Sequence, residues 1–92
     1  MSANPSSTNR TLADLSAGQA GLVTELHSQG PVRRRMMDMG IVPGTLVTVE
    51  MKSPLGDPVA YRVRGALVAL RREQARLVWI TDAPIVEENQ EQ

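Results

Sequence analysis

From Val47 to Arg64 the apolar residues fall on every second position of two short runs. Val47, Val49 and Met51 alternate with Thr48, Glu50 and Lys52, and Val59, Tyr61 and Val63 alternate with Ala60, Arg62 and Arg64. A period of two predicts strands with one buried face. The link between them, "SPLGDP", is dense in turn formers, so the pair reads as an antiparallel hairpin with a loop longer than two residues. If both apolar sets face the core, Met51 pairs with an odd-numbered partner such as Val59 or Tyr61. Further short strands are predicted at Leu22–Leu26, Leu67–Leu70 and Leu77–Ile80, the last two joined by "RREQA", which has the composition of one helical turn.

Upstream the period lengthens. Pro31 suits the first position of a helix and Gly40 the left-handed residue just past its end, which predicts a helix over Pro31–Met39. At about 100° per residue, Val32, Met36 and Met39 share one face, Arg33 and Met37 lie together well off it, and Arg34 and Asp38 sit opposite. Near the start, "TLAD" sets Asp14 three residues after Thr11, a capping-box spacing that places Leu12 and Leu15 on one short turn ended by Gly18. Five short strands and one short helix between the first and second of them predict a mainly β domain, a small and partly open barrel.

Composition limits what such a barrel can do. A chain of 92 residues builds a single core and buries only about 60% of its unfolded surface. With Tyr61 and Trp79 as its only aromatics, the core must be filled by Val, Leu, Ile and Met, leaving little room for a deep catalytic cleft. The formal charge is zero but unevenly spread, with ten basic against six acidic side chains over residues 10–81, a net of +4. Residues 82–92 offset this with Asp82, Glu87, Glu88 and Glu91 and read as an acidic flexible tail, while residues 1–10 read as a disordered lead. Without cysteine there is no disulfide framework, thiolate metal site or cysteine nucleophile, which suits a cytoplasmic protein. No apolar run approaches the roughly 18 residues that span a bilayer, so direct membrane insertion is not expected.

The stretch "GPVRRRMMDMGIVPGT" carries the candidate chemistry. Its methionines suit packing better than iron, because thioethers fill irregular cores and ferrous iron prefers nitrogen and oxygen donors. The arginine triplet with one tyrosine and one tryptophan lacks the stacking platforms of nucleic-acid binders, which disfavours nucleic acid as a partner. There is no Gly-rich phosphate loop, and the lone His27 belongs to no nucleophile–base–acid pattern, Ser28 being merely its chain neighbour, so neither an enzyme nor a resident cofactor is expected. What remains is protein docking. Arg33, Arg34 and Met37 form the outward helix face, and Leu55, Gly56 and Asp57 form the tip of the hairpin loop, where Leu55 has no evident core to enter.

The ordered set "TLADLSAGQAG", "RRRMMDMGIVPGT", "SPLGDPVAYRVRG" and "LVALRREQARLVWI" resembles the FeoA family, small cytosolic partners of the FeoB ferrous-iron transporter, over about residues 11–81. Its most specific parts are "MGIVPG" and "PLGDP". The resemblance implies an SH3-like barrel and an accessory or regulatory role, docking on the cytosolic G-protein domain of a FeoB-like transporter. Met36, Met37 and Met39 stand where that family commonly has leucines, and Ala66 where a larger residue is frequent. The alternative from another class is a small divalent-metal-sensing or ligand-binding domain, with His27, Asp38 or Asp57 as ligands and weak transition-metal contact.

Overall fold

The period-two segment forms the hairpin it predicts, with one displacement. In the computed structural model, which describes residues 10–82, β2 (Leu46–Lys52) pairs antiparallel with β3 (Val59–Val63), and Val47, Val49, Tyr61 and Val63 are buried. The register runs Val49 to Tyr61 and then Met51 to Ala60, so Glu50 is an extra residue. This bulge reverses the alternation beyond it. Met51 therefore faces outward opposite an even-numbered partner, and the odd-numbered pairing expected for it does not form.

The remaining strands are β1 (Ala20–Leu26), β4 (Ala66–Leu70) and β5 (Val78–Asp82), in a single antiparallel sheet ordered β4-β3-β2-β1-β5. β3 turns into β4 through Arg64 and Gly65, both at positive φ (52° and 86°), the requirement of a two-residue type I′ connection. A second bulge, in β1 between Val23 and Glu25 against β5, adds to the bend. Two bulged strands at the centre curl the sheet around its apolar face. This is the small SH3-like barrel that the strand pattern and the resemblance implied.

One end of that core is plugged from the N-terminal side. Thr11 and Asp14 form a reciprocal capping box around a 3-10 turn, Leu12–Asp14, with Thr11 N–H donating to Asp14 Oδ2 at 2.8 Å. The turn drives Leu12 and Leu15 into the core, and the buried Tyr61 hydroxyl donates to the Leu12 carbonyl at 3.3 Å. Residues 10 and 11 then run beside β5, where Ile80 N–H donates to the Arg10 carbonyl and Arg10 pairs with Asp82. Asp82, expected at the head of the acidic tail, is thus the last residue of β5. The lead over residues 1–9 and the tail from residue 83 onward lie outside the described residues.

Two helices complete the fold. α1 (Gly30–Asp38) connects β1 to β2, and α2 (Arg72–Ala75) is the single turn expected from "RREQA" between β4 and β5.

Candidate functional site

α1 is fixed at its end by a Schellman motif. Gly40 N–H donates to the Met37 carbonyl at 3.0 Å and Ile41 N–H to the Met36 carbonyl at 3.0 Å, with Gly40 at φ +94°. Ile41 and Met36 are both fully buried, so the cap and the core contact are the same structure. The Met36 sulfur also accepts the buried Ser28 hydroxyl at 3.6 Å. Met36 is a core residue, as its helical spacing predicts, and Met39 packs partly buried against the same cluster. Val32 does not follow them. Expected on the inner face, it is 40% exposed, because the first turn of α1 stands beside an open trough instead of against the sheet.

The outer face of α1 presents the expected trio. Met37 is 44% exposed, and Arg33, Arg34 and Met37 line one shallow depression with Gly30, Pro31 and Asp38. Arg33 is partly committed there, since its Nη1 donates to the Leu26 carbonyl at 3.2 Å and ties the helix to the end of β1. Among the described residues Arg34 forms no ion pair with Asp38.

The hairpin loop divides its three residues between two tasks. Leu55 is 92% exposed, and Gly56 at φ +82° closes the turn by donating to the Ser53 carbonyl at 2.8 Å. Asp57 points elsewhere: its Oδ1 accepts the Arg72 N–H at 2.9 Å, supplying α2 with a helix cap from fifteen positions away. The depression on α1 includes none of these loop residues, so the two expected sets form separate surfaces.

The residues of the metal alternative are likewise dispersed. His27 stacks on Trp79 with ring centroids 3.7 Å apart, and its Nε2 lies 2.8 Å from Glu25 Oε1. Asp57 is engaged with α2. Among the described residues no three His, Cys, Asp or Glu side chains gather as a metal site.

Among the described residues three groups titrate away from their ordinary ranges, Tyr61, Glu50 and the Arg62 guanidinium, which its hydrogen bond to Glu50 pushes up. Burial pushes the Tyr61 hydroxyl up to about 12, and the nearby Asp57 charge adds to this while Arg72 opposes it. On the outer face of the β2–β3 hairpin, the hydrogen bond from Arg62 Nε at 3.0 Å, and then its charge, hold Glu50 below the usual carboxylate range.

Sequence reasoning missed a surface on the other side of α1, where Arg35 joins Val32 and Met39. These stand three and four residues apart, a shared helix face that the pattern already contained. What it did not contain was Arg71, which the fold brings opposite from the end of β4.

Residues 10–82 match the family model described as FeoA domain. Over 64 residues the chain is 39% identical to a fusion of Fe(2+) transport protein A and the Fe(2+) transporter FeoB from Porphyromonas gingivalis. That alignment covers 70% of this chain and 8% of the fusion protein, so the chain spans a small part of that relative's length. The solution structure of FeoA from Chlorobium tepidum superposes with a TM-score of 0.78 at 35% identity, covering 85% of this chain and 74% of that one. Stenotrophomonas maltophilia FeoA, crystallised in complex with zinc and described as an SH3 domain protein, superposes with a TM-score of 0.70 at 28% identity over 78% of this chain and 89% of that one.

Proposed function

The chain belongs to the FeoA domain family, and from that premise we propose that it is a non-enzymatic accessory protein of ferrous-iron uptake that docks, from the cytoplasm, on the cytosolic G-protein domain of a FeoB-like transporter. The observation that carries the proposal is the relative in which a FeoA part and a FeoB transporter are one polypeptide. A fusion holds its two parts at high effective concentration, an arrangement that favours parts which act together. No helix among the described residues is long and apolar enough to cross a membrane, so on this reading contact with the transporter runs through protein surface.

The outward face of α1 is the docking surface this reading favours, with Met37 as the apolar anchor and Arg33 and Arg34 beside it. The Leu55 loop is the second surface. A binding titration of the transporter's cytosolic domain against the parent chain, Met37→Glu and Arg33→Glu, each checked by thermal melting, tests both levels. Met37→Glu should melt like the parent and Arg33→Glu slightly earlier, having lost its hydrogen bond to the Leu26 carbonyl, while both bind more weakly, Arg33→Glu with a reduced salt dependence. Should the parent chain itself fail to bind, the docking role is wrong. Should Met37→Glu bind normally, the surface moves to the Leu55 loop.

A weak contact with a divalent metal is a second reading, favoured by the zinc complex of the Stenotrophomonas relative. The exposed pair of His27 Nε2 and Glu25 Oε1 offers one nitrogen and one oxygen donor. Equilibrium titration with ferrous iron or manganese tests this reading: saturable binding that His27→Ala abolishes supports the contact, and no saturation at millimolar metal removes it.

A further inference from the structure

The exposure of Val32 has a cause that docking through the outer helix face leaves unused. Val32 belongs to a trough between α1, the end of β4 and α2. Its first part, about 410 Å³, has Val32, Met36, Pro58 and Leu70 on its walls and floor, with Arg35 and Arg71 beside them. A neighbouring depression of about 450 Å³ shares Val32 and Gln74 with it and is bounded by His27, Glu73 and Leu77, and we take the two as one trough.

The charges along this trough are ordered. No acidic side chain lines the first part, and among the described residues neither Arg35 nor Arg71 has an ion-pair partner. Two guanidiniums left unneutralised beside an aliphatic surface suit carboxylates attached to an aliphatic group. Glu73 at the far end gives the trough a polarity, so an occupant would place its acidic end at Arg35 and Arg71. Nucleic acid fits poorly, because no aromatic side chain lines the arginine-flanked part to stack a base.

We propose that this trough binds an extended segment of a partner protein in which an aliphatic side chain lies over Val32 and adjacent carboxylates meet Arg35 and Arg71. The site is distinct from the Met37 face and from the Leu55 loop. It goes beyond the docking role proposed above and does not depend on it.

A free peptide tests the site without any transporter. A synthetic decapeptide with the sequence of residues 83–92 has the required chemistry, since Ile85 and Val86 precede Glu87 and Glu88. Titrated into the full chain, it should shift the emission of Trp79, the single tryptophan, which stacks on the trough residue His27. It should also shift the methyl resonances of Met36 and Met39 more than that of Met37. Replacing both glutamates of the peptide by Gln, or introducing Arg35→Glu or Arg71→Glu into the protein, should weaken binding by roughly three- to tenfold. Both arginines are exposed, so the protein variants should melt like the parent. Absence of saturation at millimolar peptide overturns the proposal, as does equal binding of the Gln peptide. Charge reversal at Glu87 and Glu88 of the full chain supplies the last control. If it moves the Met36 and Met39 signals with no peptide added, the chain's own tail fills the trough and a partner segment is not its ligand. Because the transporter domain is absent throughout, failure here leaves the docking role standing, and the reverse also holds.

Discussion

A methyl group added at Gly21 would meet Ile80 Cδ1 at 2.6 Å, Ile80 Cβ at 3.2 Å and the Thr81 carbonyl at 3.3 Å. The tip of Ile80 can swing away, but its Cβ and the β5 backbone cannot do so without moving the strand. Gly21→Ala should therefore destabilise the domain by about 1–3 kcal/mol, an overpacking cost visible in urea melts. Gly44 tests the opposite case. It holds φ +93° in open space between α1 and β2, so Gly44→Ala should cost about 1–2 kcal/mol from backbone conformation alone. A Gly44→Ala melt that matches the parent would show that the loop relaxes. Tyr61 adds a dependence on pH. Its hydroxyl titrates at about 12 in the fold against the ordinary 10.0, so the folded state resists an ionisation that the unfolded chain undergoes. The stability this confers is complete below about 10 and is lost as pH rises through about 12. Tyr61→Phe should flatten that alkaline limb, and a native phenolate absorbance with its midpoint at the ordinary value would refute the assignment.

At the scale of elements, Asp57 shows how a loop is held by a helix that it does not adjoin in sequence. Removing its carboxylate takes the cap from α2 and frees the base of the loop that presents Leu55. Asp57→Ala should cost about 0.5–2 kcal/mol, and Asp57→Asn, which keeps an acceptor, should recover most of it. Equal losses for the two variants would mean that the hydrogen bond is incidental. This contact also marks the limit of what the sequence made legible. Strand positions, the capping box at Thr11 and Asp14, and the burial of Met36 with the exposure of Met37 could all be read from local period and spacing, because each depends on neighbours within a turn or a pleat. Met51 could not, since a bulge is a decision of two strands together. Val32 could not either, because helical spacing gives a direction and not whether anything stands there. Asp57 reads as a turn residue and acts as a cap only because the fold brings α2 to it. For the same reason the Arg35 side of the trough was visible in the helix pattern and the Arg71 side was not.

At the scale of the whole molecule, the described core residues run from Leu12 to Ile80. A chain ending at Asp82 should then lose less than about 1 kcal/mol, and a larger loss in thermal or urea melts would assign residues 83–92 a packing role. The sheet order sets the two ends of this domain side by side, with residues 10 and 11 antiparallel to β5 and Arg10 paired with Asp82. The hydrogen bonds joining these segments run across the strands. A pull applied between residues 10 and 82 therefore loads those bonds one after another from the open end, as a zipper is opened, and not all at once as in shear. Held by both ends in a larger assembly, the domain would yield at low force, releasing first the N-terminal segment that carries Leu12 into the core, and single-molecule stretching from those two positions would register it as a weak link.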